Sequence, residues 1–311
     1  MRTGAAAGTR GYFHEAARYS SDAEFLAIVL PFVQAGAAAG EPVMLALGER
    51  NEGLVRAALP DLCGLTFIPG EKQYVTPAHA IRTVRDRLAA RTADGARQIR
   101  IVGDVPTAGW HRWARYEAAV NRAYDDFPVW GLCPYDTRST PPEVLADVAR
   151  THPRLHTADG GHVVNPDFEN PEAFLTDRLL QPRPAEPGPA LLDTAVAGAD
   201  QVRHLVRDLA AAELAQDHVD DLVLAASEVV TNALVHGREP VRLRLWRAPA
   251  RVVVAITDGG CGVRDPYSGL LPARRSASAG LGLWLCHQIC RDVGFHRDED
   301  GFTVRLVAGP G

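Results

Sequence analysis

In the stretch SEVVTNALVHG, residues 227–237, Glu228 and Asn232 stand four residues apart in a run that is apolar on nearly every side. Four residues advance a helix by about 400°, so on a helix both side chains leave one flank, one turn apart. Leu222, Ala226, Val229, Val230 and Ala233 form the main core stripe of that helix, and Leu224 and Val235 lie near the Glu/Asn flank. A carboxylate on a partly covered surface is costly unless a cation, a polarised water or a ligand pairs with it. Taken alone, the helix also reads as a solvated flank carrying a chance pair. Further along, DGGCG places Asp258 at the end of the apolar run VVVAIT, with Gly260 and Gly262 in the pattern D-x-G-x-G. A strand-end carboxylate can accept a hydrogen bond from an amino group on a flat ring, and glycines beside it let the backbone approach that ring. GLGL, residues 280–283, opens a helical segment, and free N–H groups at a helix start suit phosphate. Thr303, in GFTVRL, adds a hydroxyl expected near the ring site. A single GxG is weak evidence, because turns and helix ends use glycine constantly. It is the order and spacing of the set that point to a nucleotide.

The elements that must position these groups follow from periodicity. DQVRHLVRDLAAAEL and DHVDDLVLAASEVVTNALVHG read as consecutive helices. PVRLRLWRA and RVVVAITDGG read as antiparallel strands joined by a short Pro-Ala turn. A loop rich in Gly, Ser and Arg precedes the helix LGLWLCHQICRDV, and GFHRDED and GFTVRLVAG close the chain as strands. Helices gathered on an antiparallel-leaning sheet make an α+β two-layer sandwich. The first half alternates instead. Strands are predicted at EPVMLALG, GLTFIPG, QIRIVGD and PVWGLCPYD, with helices between them and one opened by Thr76 and Pro77. A helix across DAEFLAIVLPFVQAGAAAG should bend or restart at Pro31. Such alternation predicts an α/β doubly wound parallel sheet covered on both faces. QPRPAEPGPA, residues 181–190, fits neither a helix nor an inner strand and reads as an extended spacer. The expected domains are 1–180 and 195–311, with a proline-rich linker over 181–194.

E-x-x-x-N, D-x-G-x-G, G-x-G at a helix start and a late Thr, in that order, resemble the Bergerat-fold (GHKL, HATPase) ATPases. SEVVTNALVHG is similar to the branch formed by the anti-sigma-factor serine kinases. The resemblance covers about residues 195–308 and implies ATP and Mg²⁺ as cofactors. It implies Asn232 as the Mg²⁺ ligand, Glu228 as the group that orients or deprotonates the attacking oxygen, and Asp258 with Gly260 and Gly262 at the adenine. Gly280, Leu281 and Gly282 would line the phosphate end, Thr303 would support the adenine, and residues 263–279 would form a lid carrying Arg274 and Arg275. In that branch the acceptor is a Ser or Thr of a separate antagonist protein, and the same surface region can hold a sigma factor. His204 lacks the acidic neighbour and the second hairpin helix of a phospho-accepting histidine, so histidine autophosphorylation is not expected. The rival reading is a non-catalytic switch that binds ATP to shape a partner-sequestering surface. A homodimer is open, since relatives of the ATPase half often pair.

The first half lacks G-K-[ST] in its best candidate turn, LGERNEGLV, so nucleotide hydrolysis is not expected there. FHEAARYSSDAEFL, GEPVMLAL, RIVGDVPTAGW, CPYDTR and THPRL resemble the MEDS sensory domain, which implies a RecA-like core and a small-molecule ligand of unknown identity. Strand C-terminal ends are the usual binding place in such sheets. They nominate Asp104, Cys133, Tyr135 and Asp136, with Trp110 just beyond; His14, His111 and His152 are scattered polar candidates with structural roles as the plainer reading. No nucleophile–base set marks the first half as a small-molecule-modifying enzyme.

The totals agree with a signal-responsive regulator of transcription acting in the cytoplasm. The 311 residues suit two domains, 46% hydrophobic and 23% charged. A net charge of −5 gives no footprint for direct nucleic-acid binding. The five cysteines form no CxxC pair, so neither a disulfide framework nor a structural zinc site is expected. No apolar run is long enough to span a membrane, and the N-terminus does not read as a signal peptide.

Overall fold

The computed structural model describes residues 1–61, 63–157, 159–186, 188–272 and 281–310. The chain divides into two compact units, Met1–Leu175 and Thr176–Gly311.

In the first unit, strands β1 (Phe13–Tyr19), β2 (Val43–Leu47), β3 (Leu65–Pro69), β4 (Ile99–Gly103), β5 (Val129–Asp136), β6 (Arg154–His156) and β7 (His162–Val164) form one sheet in the order β3-β2-β4-β5-β1-β6-β7. Every pairing is parallel except β6 with β7. Helices α1 (Asp22–Ala38), α2 (Glu49–Ala58), α3 (Gly70–Gln73), α4 (Pro77–Ala93), α5 (Trp110–Ala123) and α6 (Pro142–Thr151) connect the strands. Neighbouring residues of a strand feed opposite cores. Ala17 and Leu132 pack with Phe25, Val29 and Phe32 of α1, while Ala16 and Cys133 pack with Val144 and Val148 of α6. The sheet is therefore covered on both faces. Pro31 lies inside α1, which runs unbroken from Asp22 to Ala38. Thr76 caps α4 by accepting the His79 N–H at 3.2 Å, with Pro77 at the first turn where no N–H is needed. β1 is central yet carries His14 and Glu15, both 0% exposed. The division between the units falls within α7 (Pro171–Asp177).

In the second unit, β8 (Leu192–Ala195), β9 (Arg242–Ala248), β10 (Arg251–Asp258), β11 (Asp292–Asp298) and β12 (Gly301–Ala308) form an antiparallel sheet in the order β11-β12-β10-β9-β8. Helices α8 (Ala199–Ala210), α9 (Gln216–His236) and α10 (Leu281–Ile289) lie on one face. Leu222, Ala226, Val229, Val230 and Ala233 of α9 bury against Leu243, Val254, Ile256, Val304 and Leu306 of the sheet. The proline-rich stretch is strapped across the opposite face. Gln181 donates its N–H to Phe295 O and accepts from His296 Nδ1 on its own carbonyl. Arg183 pairs with Asp298, Glu186 with Arg305, and Trp246 Nε1 donates to Gly188 O. No helix among the described residues is long and apolar enough to cross a membrane.

Candidate functional site

Helix α9 holds Glu228 and Asn232 on one flank, both half-buried, while Leu224 and Val235 beside them are exposed. Ser227 and Thr231 return their hydroxyls to carbonyls of the same helix, at Val223 and Ser227. Glu228 and Asn232 instead face the start of α10. A Cβ built on Gly282 would stand 2.6 Å from Glu228 Oε2 and 3.5 Å from Asn232 Nδ2. A side chain at 282 would make the Glu228 carboxylate swing away from the start of α10.

One helix end further, Gly237 meets Asp258. A Cβ on Gly237 would fall 2.4 Å from Asp258 Oδ1. That oxygen accepts the N–H of Gly260 at 2.6 Å and of Arg238 at 3.3 Å, which leaves Oδ2 as the remaining acceptor of a carboxylate only 7% exposed. Gly262 adopts φ 72° and packs its backbone on the Phe302 ring, where a Cβ would come within 2.4 Å. Asn232, Asp258, Gly262 and Phe302, with His236, Arg264, Asp265 and Gly269, line a cleft of about 400 Å³. That is within the size of small-molecule sites, about 300–1,000 Å³. Asn232 and Asp258 share this cleft, and Glu228 stands one helical turn from Asn232, outside the cleft wall. Leu281 is exposed at the start of α10. Gly280, Arg274, Arg275 and the lid beyond Pro272 lie outside the described residues.

Thr303 does not join the cleft. Strand alternation sends it to the other face: Phe302 and Val304 line the cleft, and Thr303 between them is 0% exposed with its hydroxyl 2.8 Å from that of Thr257. The residue of β12 that reaches the cleft beside Asp258 is Phe302, legible from the pleat once β12 is set in register with Asp258, its cross-strand partner. His236 and Gly237, at the end of α9, also line the cleft, and no motif names them. His204 is exposed, with Nδ1 2.8 Å from Asp200 O.

In the first unit, a cleft of about 550 Å³ opens at the strand ends and is lined by Asp104, Tyr135 and Asp136 with Tyr19, Asn51 and Tyr74. Asp104 Oδ2 accepts from Gly48 N at 3.2 Å and Asn51 Nδ2 at 2.8 Å. Burial raises its carboxyl above the ordinary range, opposed by those two donors. Asn51 belongs to the LGERNEGLV turn, which in place of a phosphate serves this carboxylate. Two nominated residues are not part of the cleft wall. Trp110 packs with Leu145 and Tyr135, its Nε1 donating to Asp147 Oδ2 at 3.0 Å. Cys133 is buried behind the sheet surface, 3.5 Å from His14 Nε2.

Comparison with known proteins finds no match among curated proteins. Solved structures similar to part of the chain include the catalytic domain of histidine kinase ThkA in two nucleotide-free orthorhombic forms. They are 12% and 13% identical, cover 38% of this chain and 94% and 96% of theirs, and have a TM-score of 0.27. Residues 13–153 match the family model described as the MEthanogen/methylotroph, DcmR Sensory domain, and residues 192–308 match that of the histidine kinase-like ATPase domain. The chain thus joins a MEDS sensory domain to a histidine kinase-like ATPase domain.

Proposed function

We propose that the protein is a signal-responsive regulator whose second unit binds ATP with Mg²⁺ and transfers phosphate to a Ser or Thr of a partner, in the manner of the anti-sigma-factor serine kinases. The observation that carries this reading is the cleft shared by Asn232, Gly237, Asp258, Gly262 and Phe302, with Gly282 packed on Glu228 one helical turn from Asn232. At Gly237 a Cβ would also meet the Ala233 carbonyl oxygen at 2.4 Å, so a side chain is barred there. Asp258, with Gly260, Gly262 and Phe302, would receive the adenine. Gly282 and the start of α10 would receive the phosphates. Asn232 would offer its amide oxygen to Mg²⁺, and Glu228 would take the proton of the attacking hydroxyl. Mg²⁺, when bound, supplies charge neutralisation for in-line transfer, a reaction that rests mostly on positioning. The partner would be an anti-sigma antagonist, a sigma factor, or both in turn. In the first unit, read as a RecA-like core, the sensed small molecule would seat in the cleft of Asp104, Tyr135 and Asp136.

Calorimetry with ATP and Mg²⁺, followed by labelled ATP with a cognate antagonist, tests the proposal. Saturable binding and label on Ser or Thr are expected, with Glu228→Ala abolishing transfer and sparing binding. Absence of nucleotide binding would defeat the whole reading. Binding without transfer, with partner regulation intact in Glu228→Ala, would leave a switch rather than a kinase.

A further inference from the structure

Behind Tyr135 lies a cluster of buried polar groups from four elements. His14 comes from β1, Cys133 from the adjacent β5, Glu117 from α5, and His152 follows the last residue of α6. The first, third and fourth are 0% exposed and Cys133 is 6% exposed. His14 Nε2 stands 3.4 Å from Glu117 Oε2 and 3.5 Å from Cys133 Sγ, and His152 Nε2 stands 3.6 Å from the same Glu117 oxygen. All four ligand atoms lie within 4.8 Å of one another.

The far side of each ring fixes its hydrogen. His152 Nδ1 is 2.9 Å from Val148 O, which can only accept, so Nδ1 carries the hydrogen and Nε2 a lone pair. His14 Nδ1 is 3.0 Å from Asn121 Oδ1. That amide is oriented by its Nδ2, which faces the carbonyls of Glu117, Ala118 and Thr151. His14 therefore also donates through Nδ1 and turns a lone pair inward. Glu117 Oε1 accepts the Tyr135 hydroxyl at 2.6 Å, leaving Oε2 in the centre. Three acceptors thus face one another with one thiol hydrogen among them. Glu117 Oε2 and His152 Nε2 are buried without a hydrogen-bond partner. Leaving such acceptors buried and unpaired is costly.

We propose that His14, Glu117, Cys133 and His152 form a binding site for a divalent transition-metal ion, zinc fitting best. Ligand bonds of about 2.0–2.3 Å around a tetrahedral ion set neighbouring donors about 3.3–3.6 Å apart; three of the six pairs stand at 3.4–3.6 Å, and the others lie within 4.8 Å. Both imidazoles are held through the far nitrogen by an oxygen, the support that orients metal-bound histidines. Carboxylate and thiolate together balance the dication, so the buried site is neutral, and the thiol proton leaves to solvent on binding. A proton alone does not close the gap, because an O–H···N bond needs donor and acceptor within about 3.2 Å. Tyr135 lines the strand-end cleft, so the ion would sit one side chain behind the place where a ligand enters.

Cobalt substitution of the full chain tests this. Apo protein, prepared with chelator and reductant, should take up Co²⁺ with intense four-coordinate visible bands and a near-ultraviolet thiolate-to-cobalt band, both displaced by Zn²⁺. Cys133→Ser should remove the near-ultraviolet band and keep weaker uptake; His152→Gln should weaken uptake at least about tenfold, first-shell ligands counting for no less than the outer-shell partners whose loss costs 10–100-fold. Glu15, His156 and His162 form a second group with ligand atoms equally close, but it has no sulfur. Uptake without the thiolate band, a band that survives Cys133→Ser, or no uptake by the unaltered chain would each overturn the proposal. If Cys133→Ser does not fold, His152→Gln decides: an unchanged spectrum and affinity in that variant would overturn it as well.

Discussion

Arg305 on β12 and Glu186 in the proline-rich strap form a two-pronged ion pair, Nε to Oε1 at 2.6 Å and Nη2 to Oε2 at 3.0 Å, with side chains 6% and 8% exposed. Removing one member of a buried pair leaves the other charged and desolvated, at about 3–5 kcal/mol. Asp292 remains 4.0 Å from Arg305 and softens the loss. Glu186→Ala should therefore lower the unfolding free energy of the second unit by about 3 kcal/mol, read by urea titration. An unchanged midpoint would mean that the strap does not hold the sheet.

Phe302 and Thr303 separate the two faces of β12. Phe302→Ala should weaken ATP binding about tenfold, or ~1.4 kcal/mol, because it removes a wall of the cleft. Thr303→Val should leave nucleotide affinity unchanged and cost about 1 kcal/mol of stability, since Thr257 loses its hydroxyl partner. Calorimetry on both variants distinguishes the faces, and the opposite ranking would restore Thr303 to the site.

Gly282→Ala places a methyl 2.6 Å from Glu228 Oε2. Phosphotransfer should fall at least about tenfold, as a misplacement of about 1 Å can cost 10²-fold, with the circular-dichroism spectrum intact. Gly198→Ala, where no atom lies within 4 Å of the new Cβ, serves as the control and should be silent. Equal activity in the two variants would remove the α10 start from the mechanism.

His296 is held below the ordinary value of 6.5, chiefly by burial, with Arg305 and Arg183 adding to the effect against the Gln181 carbonyl. The unfolded chain then binds the extra proton more readily than the folded one. The associated stability is complete above about pH 6.5 and drains as pH falls through the lowered folded value. Urea midpoints of the second unit should decline from pH 7.5 to pH 5, and His296→Gln should flatten part of that decline. A parallel decline in the variant would place the proton elsewhere.

Much of this architecture was legible because its signals are local. The flank shared by Glu228 and Asn232 follows from a four-residue spacing, and the start of α4 from Thr76 and Pro77. β1 was not legible: His14 and Glu15 break the apolar pattern of a central strand, and they do so where buried polar chemistry collects. Thr303 faces away from the cleft because the pleat, which no motif spells out, decides which of two neighbouring residues faces it. The His14, Glu117, Cys133 and His152 cluster draws one group from each of four elements, so no spacing in the chain announces it. Trp110 and Cys133 sit near strand ends in sequence, yet their side chains turn into packing.

The strap has a consequence for recognition. In a two-layer sandwich the bare side of the sheet is ordinarily the broadest flat area on offer to another protein. Here residues 181–186 and Gly188 already occupy it, bonded to β11, β12 and β9. A protein that docks on that face must therefore displace the strap, whereas the helical side keeps Leu224 and Val235 exposed beside Glu228 and Asn232.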